Sequence, residues 1–270
     1  MATMLATAPA QAAGPTALDP SKPHYGMTYA EWSAAWWQWA FSIPVHKPPK
    51  REGPPDTINH PLVEDPRGVP PLIDSGPRCG VGQQQQAGGH EGQSGPVWFL
   101  GGAFFQNNFQ TTATVSRHGC TVPSNIALFF PLLNPECSRL EGAAWGCPGK
   151  NGKPPTVDDL RADIVKFVDA TDTLQADITD SHRIKTIFPV PKDSHYRVKS
   201  PSFSFSLAPD DILTWIAEGP FNPGTYSPAV GDGYYVMLAP LSPGTYALHF
   251  KGASSGFSLE VNYTITVVSE

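Results

Sequence analysis

The run "FSLEVNYTITVV" at 257–268 alternates without a break. Phe257, Leu259, Val261, Tyr263, Ile265 and Val267 fall on one side, and Ser258, Glu260, Asn262, Thr264 and Thr266 on the other. A period of two in residues rich in β-branching demands a half-buried strand, because the apolar positions of a helix would recur every three or four. "PSFSFSL" at 201–207 repeats the pattern, with Phe203, Phe205 and Leu207 against serines. "VWFLGGAFF" from Val97 and "IALFFPLL" at 126–133 are apolar throughout, as expected of strands covered on both faces. "DGYYVMLAPLSPGTYALHF" reads as strand, turn, strand, with Pro243 and Gly244 suited to the centre of a type II turn, and "NPGTY" at 222–226 reuses that turn chemistry. The 30 prolines and 25 glycines follow no collagen-like period and punctuate short strands. The expected fold is mainly β: one antiparallel β-sandwich or jelly roll over residues 21–270. Residues 1–20 read as a signal-peptide remnant or disordered tail, and residues 46–95 as a long Pro/Gly/Gln-rich excursion.

Two helices interrupt this pattern. Thr28 with Glu31 three residues on forms a capping box, and Pro44 must end what it starts. Within "EWSAAWWQWAFSIP", Tyr29, Trp32, Trp36, Trp39, Ala40 and Ile43 share a stripe about 100° wide, the width of a core-facing helix. Trp37 and Phe41 lie off that stripe beside Gln38. An exposed indole next to an amide suits a small-molecule or glycan contact, whereas a second covering layer would make Trp37 packing alone. The other helix starts at Thr156 with Asp159, and its apolar face is Leu160, Ile164, Phe167 and Val168.

A formal charge of -6 and an isoelectric point near 5.7 leave no positive field for nucleic acid. No apolar run approaches the roughly 18 residues of a membrane-spanning helix. Cys79, Cys120, Cys137 and Cys147 form no CxxC pair and allow three connectivities. Disulfides are the default for an exported chain. The favoured pairing is Cys79 with Cys120 and Cys137 with Cys147, the latter closing the loop "CSRLEGAAWGC" with a gain of roughly 3 kcal/mol in the loop-entropy model. Ala10-Gln11-Ala12 matches a signal-cleavage pattern, which points to a secreted or periplasmic protein. Four buried reduced thiols in a cytosolic protein are the alternative.

The motifs "YGMTYAEWSAAWWQWAFSIP", "GPVWFLGG", "CTVPSNIALFFPLLN" and "DGYYVMLAPLSPGTYALHFKG" together resemble a family of bacterial exported proteins with no established activity. The resemblance runs from Tyr25 onward and implies an exported single-domain protein. It brings no chemistry with it, and the glutamine run Gln83–Gln86 stands outside it.

Few catalytic constellations survive inspection. "GQSGPV" at 92–97 departs from a serine-protease nucleophile loop, with Gln93 for the aspartate and no second glycine. The eight histidines include no HxH, HxxxH or HExxH spacing, so neither a metal nor a cofactor is specified. The best polar locus is where "FFPLL" runs into Asn134-Pro135-Glu136-Cys137, since strand-end loops on a rigid scaffold concentrate functional groups. His249 is turned opposite to Leu248 and Phe250. Two readings follow. The first is a non-catalytic binding module holding a small molecule or glycan at Trp37 and Gln38; the alternative is a hydrolase or metal-dependent enzyme using Glu136, Asn134 and a histidine such as His249. The oligomeric state is not legible.

Overall fold

A computed structural model describes residues 14–45, 58–64, 75–81, 93, 95–105, 112–140, 147, 153–192, 194–217 and 221–269. In chain order the strands are β1 (Val63–Glu64), β2 (Val97–Phe99), β3 (Phe104–Phe105), β4 (Thr112–Pro123), β5 (Ala127–Leu133), β6 (Glu136–Ser138), β7 (Thr171–Thr179), β8 (Lys185–Phe188), β9 (Arg197–Lys199), β10 (Phe203–Leu207), β11 (Gly224–Leu238), β12 (Gly244–Ser254) and β13 (Phe257–Val268). The helices are α1 (Tyr29–Ser42), α2 (Val157–Asp169) and α3 (Ile212–Ala217). The expected mainly β architecture with an aromatic N-terminal helix and a further helix is what forms; the six-residue α3 is an addition.

Two sheets carry the fold. One has the order β4-β13-β12-β7-β8, and the other has β10-β11-β5-β2 with β6 and β9 also pairing β11. All seven side chains of β5 are buried. Leu128, Phe130 and Leu132 enter the core between the sheets, where Phe130 stacks on Phe250 at 4.8 Å. Phe129 enters a second core on the other face, where it stacks on Tyr235 at 5.2 Å. The six-stranded sheet is therefore a middle layer, with the five-stranded sheet on one side and α1 on the other. The apolar run of β5 reflects that double covering. Pairing is mostly antiparallel, but β4 runs parallel to β13, β2 parallel to β5 and, in a separate two-stranded sheet, β1 parallel to β3.

Helix α1 starts with the capping box, in which the Thr28 N–H donates to Glu31 Oε2 at 2.8 Å and the Glu31 N–H donates to Thr28 Oγ1 at 3.3 Å. Every residue of the expected stripe is buried. So are Trp37, 8% exposed, and Phe41, 2% exposed: of the two readings of Trp37 it is the covering layer that forms, and the indole is not exposed. Helices in a larger domain are covered on more than one side: Phe104 of β3 lies near Trp37, and Phe205 of β10 packs on Phe41 at 4.4 Å. The Tyr29 hydroxyl donates to Leu18 O at 2.7 Å and accepts from Met237 N at 3.0 Å, pinning α1 to β11. Trp36 Nε1 donates to Leu100 O at 2.7 Å.

Residues 1–13 and the Gln83–Gln86 run lie outside the described residues. The last part of the expected tail is paired: Leu18 N donates to Met237 O and Ala239 N to Thr16 O. Within the 46–95 excursion, Leu62 and Val63 pack beneath α1, and Cys79 joins Cys120 of β4. Cys137 joins Cys147, so both disulfides follow the favoured pairing. No helix among the described residues is long and apolar enough to cross a membrane.

At Gly252 the sheets meet backbone to backbone, for a Cβ there would stand 2.0 Å from Leu132 O. Gly252→Ala should therefore destabilise the protein by about 3 kcal/mol through overpacking, measured by urea unfolding. A loss under 1 kcal/mol would show that the sheets can part.

His60 is fully buried, its Nε2–H donating to Ala40 O at 2.9 Å while Nδ1 accepts from Leu62 N at 3.1 Å, so it is neutral. Burial lowers its pKa from 6.5 to about 4; the Ala40 bond opposes this, and the charges of Arg78 and Arg117 add to it. With the folded pKa below the unfolded one, the stability it contributes is present above pH 6.5 and lost as pH falls towards 4. The loss should be about 3 kcal/mol across that window, and unfolding curves of His60→Gln should lack it.

Candidate functional site

The sequence locus at the end of β5 becomes a place where three elements meet. Asn134-Pro135 turns the chain out of β5, and Glu136 begins β6, which pairs with β11 in the register Glu136 to Gly231 and Cys137 to Val230. The Cys137–Cys147 disulfide fixes this strand one residue from Glu136. Opposite the turn, β11 carries "GDGYY" at 231–235, where the two glycines permit close approach. A Cβ at Gly231 would lie 3.4 Å from Trp37 Nε1 and 3.7 Å from Pro135 O. At Gly233 it would lie 2.3 Å from Leu133 O and 2.8 Å from Asn134 Cα. The indole of Trp37, the side chain of Asn134 and the start of β6 therefore share one cradle.

Tyr235 forms its floor. Burial pushes the phenol's pKa up; the Asn134 amide and the Trp37 indole N–H draw it down, and the carboxylates of Asp232 and Glu136 raise it again. The amide and the indole thus lie beside the hydroxyl, and the two carboxylates act on it as charges. Trp37 Nε1, Asn134 Nδ2 and the Tyr235 hydroxyl are all buried, and none of the three closes a hydrogen bond. The two donors are directed at the phenol oxygen, near enough to hold its pKa below what burial alone would give. Asn134 and Glu136 are half-buried and form the rim.

The neighbouring charge is locked. Arg197 grips Asp232 with Nε to Oδ1 at 3.0 Å and Nη2 to Oδ2 at 2.8 Å, and its Nη1 reaches Asp169 at 2.7 Å. Asp232 is 2% exposed, so this pair satisfies a carboxylate that burial would otherwise make costly. Ser200 holds Gly231 from both sides, accepting from its N–H at 2.8 Å and donating its own N–H to the carbonyl at 2.9 Å.

Not every expected residue arrives. Trp37, Asn134 and Glu136, named in two separate roles, come together. Gln38 does not join them, for its exposed amide donates to Ser204 O at 2.8 Å and ties α1 to β10. The flat face of Trp37 is covered by Phe41 at 5.1 Å, so only the N–H edge turns towards the cradle. His249 faces away from the six-stranded sheet, because Leu248 and Phe250 on either side fill the core between the sheets. Its Nδ1 meets Asp177 Oδ2 at 3.0 Å and its Nε2 meets Glu260 Oε1 at 3.2 Å. Lys185 bonds Asp177 at 3.0 Å, and Lys251 stands 3.6 Å from Glu260. Burial would raise the Asp177 carboxyl, but hydrogen bonds from His249, Lys185 and Gln175 bring it below its ordinary value. The trio Glu136, Asn134 and His249 is not assembled. Among the described residues no group of three or more His, Cys, Asp or Glu side chains is arranged to hold a metal.

Sequence reasoning missed Tyr235 and the glycines that admit its neighbours. The available signal was "GDGYY" itself, since glycines inside an apolar strand mark close backbone approach. Tyr235→Phe removes a hydroxyl with no closed hydrogen bond, so unfolding free energy should change by less than about 1 kcal/mol; a loss of 2 kcal/mol or more would mean the phenol is fully bonded. Comparison with family models, with curated proteins and with solved structures finds no match to this chain.

Proposed function

We propose that this chain is an exported, non-catalytic binding protein for a small molecule or glycan, taken up at the cradle of Trp37, Asn134, Glu136 and Tyr235. The observation that carries this reading is the convergence of three buried polar groups from α1, the β5–β6 turn and β11, with no hydrogen bond closed among them. A buried polar group without a partner costs about 1–3 kcal/mol, so three side by side are expected where a polar molecule completes them. Binding then uses the N–H edge of Trp37 rather than stacking on its face. The support beneath is rigid, with the Cys137–Cys147 bridge beside Glu136 and the Arg197–Asp232 pair behind Gly231. A hydrolase would need a base beside Glu136, and the histidine named for that role has both ring nitrogens engaged on the outer face of the other sheet. Export is supported by the two disulfides, which persist in oxidising compartments.

A thermal-shift panel of neutral sugars, polyols, amino acids and organic acids tests the reading. At about 100 times its Kd a ligand adds roughly 2.7 kcal/mol and should raise the midpoint by about 5 °C or more. The rise should shrink in Trp37→Phe and in Asn134→Ala. A panel that leaves the midpoint unmoved, or a rise that survives both substitutions, would refute the assignment.

A further inference from the structure

We propose that the outer face of the five-stranded sheet carries a proton-operated clasp: His249 of β12, with a proton on each ring nitrogen, ties Asp177 of β7 to Glu260 of β13, and the loss of one proton releases Glu260. The geometry of the three side chains carries this. Nδ1 stands 3.0 Å from Asp177 Oδ2, and Nε2 stands 3.2 Å from Glu260 Oε1. An ionised carboxylate only accepts, whereas a neutral imidazole has a single N–H to give. One ring can therefore bond both partners only as the imidazolium. A neutral ring bonds one of them and turns a lone pair towards the other.

The surroundings favour the second proton. Each carboxylate keeps one oxygen for a lysine and the other for the ring, for Lys185 Nζ meets Asp177 Oδ1 at 3.0 Å and Lys251 Nζ stands 3.6 Å from Glu260 Oε2. The two negative groups are thus nearer to the ring than the ammonium groups behind them. Burial works to raise the Asp177 carboxyl, but bonds from His249, Lys185 and Gln175 outweigh it, so the proton belongs on the ring. Around the clasp, β8 sets Ile187 opposite Asp177, and β4 sets Thr114 opposite Glu260 and Ser116 opposite Asn262, while His118 of β4 meets Thr264. Burial also selects the arm that opens. The Asp177 side chain is 5% exposed and that of Glu260 34%, so water can take over from the ring at Glu260 and not at Asp177.

The direction of the pH dependence follows. An unfolded chain offers neither carboxylate, and its histidine takes up a proton near pH 6.5. The folded ring gains a bond with that proton, so the stabilisation is complete below about pH 6.5 and is lost as pH rises above it. His60 works in the opposite sense, since its contribution is lost as pH falls towards 4. The clasp is partly exposed, which keeps its effect modest.

Thermal midpoints of the intact disulfide-bonded protein and of its Glu260→Gln and His249→Gln variants, taken at about pH 5.5 and about pH 8.5, test the proposal. A glutamine amide at 260 can accept from a protonated ring or donate to a neutral one. Wild type should therefore exceed Glu260→Gln by about 2 °C or more at the acid pH and by less than about 1 °C at the alkaline one. His249→Gln should converge on wild type in the same way, and the difference between proteins cancels the contribution of His60. Long-range proton–nitrogen spectra of the wild-type ring should show both nitrogens protonated at the acid pH and Nδ1 alone protonated at the alkaline pH; this measurement needs no variant and supplies the test if neither substitution folds. A proton left on Nε2 at the alkaline pH, or a wild-type advantage that is equal at the two pH values or larger at the alkaline one, overturns the proposal.

Discussion

Strand β5 and residues 229–238 of β11 are covered on both faces, and the rest of the molecule is arranged to provide that cover. Their side chains alternate between two cores: Phe130, Tyr234 and Val236 meet the five-stranded sheet, while Phe129, Tyr235 and Met237 meet α1. A sheet buried twice needs a broad apolar surface on each side. The five-stranded sheet supplies one with the alternating face of β13, and a single helix must supply the other. That is why α1 concentrates so much aromatic area in fourteen residues, with tryptophans packed edge-on and tilted against Phe99 and against one another.

Filling a core with Trp and Tyr brings polar atoms into it. Some are met: Tyr29 by Leu18 and Met237, Trp32 by the His24 carbonyl, Trp36 by the Leu100 carbonyl; the indole N–H groups of Trp39 and Trp98 are buried without a hydrogen bond. At the far end of α1 the same device leaves Trp37 and Tyr235 facing one another across two glycines. A packing solution thereby creates a polar cradle at the edge of an otherwise dry layer. The strand ends, the disulfide and the Arg197–Asp232 pair hold its walls, so the groups are preorganised by the fold rather than by one another.

The outer face of the five-stranded sheet follows a different rule. Lys185, Asp177, His249, Glu260 and Lys251 form a ladder of alternating basic and acidic side chains across four strands, on the face turned away from the core. Cross-strand pairs of opposite charge stabilise a sheet face modestly and keep it hydrated. His249 therefore belongs to the solvation of a sheet, although in the sequence it stood out for the same reason a site residue would.

Strands β2, β5 and β10 to β13, both helix starts and the double covering of β5 were legible because they depend on residues two to four positions apart, whereas β4 and β6 to β9 carry no such pattern and were not read. The capping boxes at Thr28 and Thr156 and the twelve-residue alternation of β13 are local facts. The pairing of Cys137 with Cys147 was also readable, since a ten-residue loop closes easily. Sheet membership was not: β11 and β12 follow one another through a Pro-Gly turn, yet enter different sheets, and β13 pairs parallel with a strand more than a hundred residues earlier. Nor did the helix wheel show that Trp37 would be covered, because the cover comes from segments distant in sequence. Asn134, Glu136 and Trp37 were each singled out on local grounds, but only the tertiary structure brought them around Tyr235 and took His249 away. Periodicity and capping are energies between near neighbours; a site is a coincidence of distant ones, decided by how two sheets and a helix share their buried faces.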